Sequence, residues 1–188
     1  MITYFDDFLD QSTFTELNER MLKRFSKNLR QDVGRFNNDA LAVRVRSTST
    51  NNDFIEAACV LGSKVVIPIL EQIKTFLPIE IGGINPEAHS IWFQYMNRHQ
   101  KNIKHFDFPV NDRSSEQSYS ALLYAHSEWE DDWGGELCVN SAEVLPKPNR
   151  LIVYSRDEEH WVNEVVHSND EYQRMFFGSS WSLDSPNF

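Results

Sequence analysis

The second half of the chain is a succession of short apolar and aromatic segments separated by turn-forming residues. Seven such segments follow Pro78, at residues 90–95, 105–108, 118–124, 136–139, 151–154, 161–166 and 175–181. Each is rich in β-branched, aromatic or other apolar residues, and Asn, Asp, Gly and Pro lie between them, so each is predicted to be a β-strand. Many short strands in succession bury their apolar faces by forming a β-sandwich or a barrel.

The first 80 residues have a helical pattern instead. Apolar residues at positions 14, 17, 21 and 22 recur at helical spacing, and Ser12 or Thr13 is the expected N-cap. A second helix is predicted over residues 54–77, with a disturbance at Gly62 or Pro68. Short strands are expected at residues 2–5 and 41–45. The 188 residues are therefore predicted to form one α+β domain, with helical support over 1–80 and a strand-rich core over 88–183.

Charge and cysteine content narrow the classes of partner. The formal net charge is −10, and clustered Lys and Arg are lacking, which argues against nucleic acid and favours a peptide, protein or small-molecule substrate.

Cys59 and Cys138 have apolar neighbours and no short metal-binding or redox spacing, so both are expected to be buried free thiols. The acidic start of the chain does not resemble a signal peptide, and no run of about 18 apolar residues could span a membrane. The expected compartment is the cytoplasm, with no membrane contact.

A histidine and an aspartate stand two positions apart on one predicted strand. His105 and Asp107 should project from the same face of the sheet, because side chains alternate along a strand. His160 follows the predicted strand at 151–154 after a polar turn, which can return it to the same end of the sheet. Two imidazoles and one carboxylate form the three-residue ligand set of non-haem Fe(II) oxygenases. The tripeptide by itself is more often a solvated pair or a structural hydrogen bond, so the surrounding sequence has to decide.

The surrounding sequence resembles the prolyl-4-hydroxylase-like branch of the 2-oxoglutarate/Fe(II)-dependent dioxygenases. The matching pieces occur in order along most of the chain: FDDFLD near the start, Tyr95, HFD at 105–107, LLYAHSEW at 122–129, GGEL at 134–137, NRLIVYS at 149–155, HWVNEV at 160–165, Arg174 and Trp181. The resemblance implies a double-stranded β-helix, a jelly-roll barrel with iron in one mouth. It also implies Fe(II) as cofactor and 2-oxoglutarate and O2 as cosubstrates, with ascorbate as a candidate addition.

The resemblance also assigns a metal ligand to three positions. His105 and Asp107 match the first two iron ligands of the family, and His160 matches the distal histidine. His167 is a rival for the distal place, since neither histidine has the family's usual spacing to Arg174. The distance from the 149–155 segment and the His-x-Val continuation favour His160.

The cosubstrate pocket is assigned in the same way. Arg174 matches the residue that pairs with the distal carboxylate of 2-oxoglutarate, a role that suits a planar guanidinium. Tyr95 and Tyr124 match family tyrosines that line the pocket, although either could be ordinary core. His126 stands where the family often has Asn, and Phe176 where many relatives have Ser, so contacts near the cosubstrate are expected to differ.

The resemblance implies hydroxylation of an unactivated C–H bond, with succinate and CO2 as co-products. By family analogy the first expectation for the substrate is a prolyl residue of a protein or peptide, and a free amino acid or natural-product intermediate is the alternative. Residues 108–118 match the mobile loop that covers substrate in such enzymes. A non-enzymatic alternative is a metal-binding jelly-roll or cupin scaffold.

Overall fold

The computed structural model describes residues 2–25, 42–45, 61–77, 87–107, 118–167 and 172–182. These residues form two helices, α1 (Gln11–Phe25) and α2 (Ser63–Lys74). They also form ten strands: β1 (Ile2–Phe5), β2 (Ala42–Val45), β3 (Glu87–Met96), β4 (Asn102–His105), β5 (Ser118–Tyr124), β6 (Leu137–Val139), β7 (Ala142–Val144), β8 (Leu151–Ser155), β9 (His160–Val162) and β10 (Arg174–Ser182).

The strands form two antiparallel sheets. The large sheet has the order β1-β8-β5-β10-β3-β2, and the small sheet has the order β4-β9-β6-β7. From β3 onward the chain passes back and forth between the two sheets, so strands adjacent in sequence often lie in different sheets. The prediction of helical segments followed by a succession of β-strands is confirmed within the described residues, and the structure shows that the strands pair antiparallel.

The large sheet has one face toward the helices and the other toward the small sheet. Along β5, Ala121 and Leu123 belong to a core cluster that includes Leu17 of α1 and Ile69 of α2. The intervening Leu122 belongs to a second cluster, which it shares with β6 and β9 of the small sheet. This alternation follows from the two-residue period of a strand. The region between the sheets is called the interior below.

The helix ends differ in detail from the predicted ones. Asp10, rather than Ser12 or Thr13, caps α1, because its Oδ1 accepts the backbone N–H groups of both residues, each at 3.0 Å. The disturbance predicted at Gly62 is confirmed: Gly62 precedes α2 with φ of 90°. Pro68 lies inside α2, and residues 54–60 are outside the described part of the chain.

Several strand bounds differ from the predicted ones; the strand expected over 161–166, for example, is β9 at His160–Val162. β4 ends at His105 instead of beginning there, so Asp107 lies two residues beyond the strand. β7 was not predicted at all, because Ala142–Val144 is too short to show a pattern. Cys138 is a buried free thiol as expected, whereas Cys59 lies outside the described residues. Neither α1 nor α2 has the length and apolarity that a bilayer crossing requires, and no other helix occurs among the described residues.

Candidate metal centre and interior pocket

The inner face of the large sheet is organised in rows of side chains set by strand register. Tyr154 of β8 pairs with Ser120 of β5, which pairs with Ser180 of β10. Four residues further along β5, Tyr124 pairs with Phe176, which pairs with Gln94 of β3. Positions two apart on a strand face the same way, so both rows lie on the interior side. The serine row and the Tyr124 row mark the two ends of the interior.

His105, Asp107 and His160 meet at the serine end. His105 ends β4 and His160 begins β9, and the two residues are direct partners in the register of the small sheet. One potential ligand atom from each of the three side chains lies within 4.8 Å of the others. The imidazole centroids are 4.2 Å apart, and Asp107 Oδ1 is 3.8 Å from His160 Nε2. This separation allows a single ion to contact all three side chains.

Each imidazole is oriented by a backbone carbonyl two residues earlier. His105 Nδ1 lies 2.8 Å from the carbonyl oxygen of Ile103, and His160 Nδ1 lies 3.0 Å from that of Glu158. A carbonyl only accepts, so Nδ1–H must donate, which leaves Nε2 unprotonated and able to bind metal. Burial lowers the pKa of His160 and outweighs the opposing charge of Asp107, which favours the neutral form that a ligand needs.

Asp107 has two donors on one of its carboxylate oxygens. Oδ2 accepts from Ser120 Oγ at 3.3 Å and from Arg156 Nε at 3.1 Å. Burial alone would raise the pKa of this carboxyl, but the charge of Arg156 and smaller contributions from the nearby histidines lower it overall. Asp107 is therefore ionised at neutral pH.

Arg174 lies at the other end of the interior and is fully buried. Nε donates to the carbonyl oxygen of Gly135 at 2.6 Å, and Nη2 donates to the hydroxyl of Tyr124 at 2.7 Å. Nη1 contacts the sulfur of Met96 at 3.5 Å. No carboxylate forms an ion pair with Arg174 among the residues that the structure describes. A buried guanidinium without a charged partner is costly, so this place is suited to an anion.

Gly135 allows the close approach that this arrangement requires. Its φ is 73°, and a Cβ there would lie 3.0 Å from Arg174 Cδ and 3.2 Å from both Trp129 and Val165 side chains. A side chain at this position would be strained and would press on Arg174. Gly135 therefore lets the backbone lie close to the buried guanidinium.

Two further polar atoms near the same end have no hydrogen-bond partner among the residues described. Nε2 of Gln94 and Oδ1 of Asn102 are both buried and unpaired. Gln94 shares a row with Tyr124, and Asn102 pairs with the interior residue Val162. Buried amide groups normally have partners, so a bound ligand or ordered water is needed here.

The structure brings together most of the residues that the sequence analysis selected. Arg174 contacts Tyr124, while Tyr95 lies on the opposite face of β3, packed against the helix-facing core cluster. His167 is buried against Trp129, with ring centroids 5.5 Å apart, and is not part of the metal-ligand cluster. Sequence reasoning missed four polar contributors: Gln94, Asn102, Ser120 and Arg156. Only Gln94 carried a usable signal, since it is a polar residue within an apolar strand segment.

The residues present fit a divalent iron and a dicarboxylate cosubstrate. Two imidazoles that expose Nε2 and one ionised carboxylate match the facial ligand set of non-haem Fe(II). Buried Arg174, which has no carboxylate partner among the described residues, matches the second carboxylate of 2-oxoglutarate, since a guanidinium binds carboxylate with charge-assisted hydrogen bonds.

Comparisons with known proteins point the same way. Residues 91–179 match the family model described as the 2OG-Fe(II) oxygenase superfamily. A prolyl hydroxylase from Trichoplax adhaerens, solved with a peptide fragment of the hypoxia inducible factor oxygen degradation domain, is similar with a TM-score of 0.66 and 18% identity, covering 97% of this chain and 83% of that one.

Two further solved structures are similar over nearly the whole chain. A Pseudomonas putida prolyl-4-hydroxylase has a TM-score of 0.60 and 18% identity, covering 97% of this chain and 91% of its own. The viral collagen prolyl hydroxylase of Paramecium Bursaria Chlorella virus-1, in its 2OG complex, has a TM-score of 0.68 and 13% identity, covering 97% and 96%. No curated protein sequence matches significantly. At these identities the structural matches establish the fold.

Proposed function

We propose that the chain is a 2-oxoglutarate-dependent iron dioxygenase of the 2OG-Fe(II) oxygenase superfamily, whose family model matches residues 91–179, and that His105, Asp107 and His160 hold its Fe(II). We further propose that Arg174 and Tyr124 bind the distal carboxylate of 2-oxoglutarate. The observation that carries the proposal is the interior itself, with three ligand side chains at one end and, at the other, a buried guanidinium that has no carboxylate partner within the described part of the chain. In this proposal the fold is a jelly-roll barrel that encloses both.

The chain's own residues do the positioning. When bound, iron would activate O2, which is the oxidant: two electrons would come from 2-oxoglutarate, giving succinate and CO2, and two from the substrate C–H bond, which would be hydroxylated. The Nδ1 hydrogen bonds aim both imidazoles at the metal, and Arg156 and Ser120 hold the carboxylate of Asp107. Apolar interior side chains such as Leu122 and Val162 keep water away from the reacting centre.

The amide groups of Gln94 and Asn102 support the placement of a cosubstrate near Arg174. The carboxylate of 2-oxoglutarate would accept from Gln94 Nε2, which otherwise stays buried and unpaired. Oδ1 of Asn102 needs a donor, which an ordered water beside the ligand would supply. Tyr95 has no place in this pocket, because it packs on the helix side of β3.

For the substrate we propose a prolyl residue of a peptide or protein. The support is the likeness in fold to several prolyl hydroxylases, one of which was solved with a peptide fragment. A free amino acid or natural-product intermediate remains the alternative substrate class. A pure scaffold is disfavoured, because a structural protein gains nothing from a buried guanidinium for which the described residues provide no anion.

Two measurements test the proposal. Anaerobic addition of Fe(II) and 2-oxoglutarate should produce the visible metal-to-ligand charge-transfer band in the wild-type protein and none in Asp107→Ala. A succinate-release screen with proline-containing peptides, free amino acids and related metabolites then identifies the substrate class. Absence of the band from folded, iron-loaded wild-type protein would exclude the proposed site, whereas release with free amino acids alone would replace the prolyl substrate.

A further inference from the structure

Arg156 is a cation placed directly on a proposed iron ligand. It follows β8, and its backbone N–H donates to the carbonyl oxygen of Ser118 at 3.0 Å, which ties it to the start of β5. Its side chain is 19% exposed and that of Asp107 is 18% exposed. The pair is thus largely shielded from water, where a charge-assisted hydrogen bond is stronger than on the surface.

The two oxygens of Asp107 have separate surroundings. Oδ2 accepts from Arg156 Nε at 3.1 Å and from Ser120 Oγ at 3.3 Å. Oδ1 lies toward the histidines, 3.8 Å from His160 Nε2. With two donors on Oδ2, only Oδ1 has its lone pairs directed at the place where the ligand atoms converge.

A guanidinium here weakens the attraction of the site for a divalent cation, since like charges repel. A neutral donor in place of Arg156 could hydrogen-bond the Asp107 carboxylate without repelling the metal ion. The benefit that remains is geometric, because the fixed fork of an arginine holds one carboxylate oxygen in a defined direction.

We propose that Arg156 is a positioning residue that restricts Asp107 to ligation through one oxygen. The inference rests on the metal site proposed above. An octahedral iron bound by two imidazoles and one carboxylate oxygen keeps three positions open, enough for a chelating cosubstrate and O2. A carboxylate bound through both oxygens would take the position that O2 needs.

The test counts exchangeable water on the redox-inert Mn(II) form. Arg156→Met keeps the length of the side chain and removes its donor and charge, while Arg156→Lys restores a charged donor. Lys104→Ala is the matched control: Lys104 is a cation 3.8 Å from Glu159 and is stacked on Trp161, so its contacts are with residues other than Asp107. Circular dichroism and thermal melting establish that each variant is folded.

The readout is electron paramagnetic resonance line broadening by ¹⁷O-water, with Mn(II) and saturating 2-oxoglutarate. We expect about one exchangeable water in wild type and in Lys104→Ala, its loss in Arg156→Met, and its recovery in Arg156→Lys. An unchanged water count in folded Arg156→Met would overturn the positioning role. Failure of wild-type protein to bind Mn(II), or equal binding by Asp107→Ala, would overturn the metal site itself, so the two proposals fail separately.

Discussion

His126 should make the stability of this protein fall steeply in mild acid. Its side chain follows β5, is 3% exposed, and packs on Trp129 with ring centroids 4.8 Å apart. Nε2 lies 2.5 Å from the carbonyl oxygen of Pro146, and Nδ1 accepts the backbone N–H of Met175 at 3.2 Å. The neutral ring, protonated at Nε2, satisfies both bonds; Nδ1 also lies 3.2 Å from the carbonyl oxygen of Met175, which opposes part of the pKa shift. Burial, reinforced by the nearby charge of Arg174, lowers the pKa from 6.5 to about 3.

The size of the effect follows from proton linkage. Between these two pKa values the unfolded chain binds a proton at His126 and the native protein does not, so acid favours unfolding. Each pH unit in that window costs about 1.4 kcal/mol. From pH 7 to pH 5, His126 should thus reduce the free energy of unfolding by about 2 kcal/mol, with the whole contribution present above pH 6.5.

The contribution of His126 to the pH dependence of stability is measured by comparing the wild-type protein with His126→Gln. The glutamine keeps an amide donor and cannot titrate. Urea unfolding of metal-free protein at several pH values between 7 and 5 gives the free energy of unfolding of each. The variant should be less stable at pH 7, and the difference should shrink by about 2 kcal/mol toward pH 5. His99→Gln, which replaces an exposed histidine paired with Glu164, is the control and should follow wild type within about 0.5 kcal/mol. Parallel profiles for wild type and His126→Gln would refute the reasoning.

Three further predictions concern the interior. Asp107→Ala should abolish Mn(II) binding and succinate release while the circular dichroism spectrum stays native, since the two sheets are held by their own strand pairing and core clusters; unfolding at room temperature would make Asp107 structural. Arg174→Gln should weaken 2-oxoglutarate binding by roughly 10–100-fold, the loss of charge-assisted hydrogen bonds of about 1.5–3 kcal/mol, and leave Mn(II) affinity nearly unchanged in calorimetry; equal losses would move the cosubstrate elsewhere. His160→Ala should lose Mn(II) affinity by roughly 10–100-fold or more and His167→Ala should not, and the reverse order would transfer the ligand role.

The strand predictions were accurate where the local sequence pattern defines the strand completely. The segment at 118–124 was predicted with its observed bounds, because its alternation and flanking turn residues are complete within the segment itself. β4 was misplaced by three residues, since the HFD tripeptide lies where the strand ends, and a strand end is set by pairing with β9. Short β7 depends on the β6 pairing in the same way.

The sequence pattern alone determined that helical segments would be followed by β-strands. It also determined that His105 and Asp107 would lie close together. Both features depend on residues that are near one another in the chain. Tertiary structure decided the rest. It put Tyr95 on the helix side and Gln94 in the interior, since a shift of one residue reverses the face of a strand. The tertiary structure also brought Arg156 into contact with Asp107, 49 residues away in the sequence. Strand order and register make this contact, and no local sequence pattern indicates it.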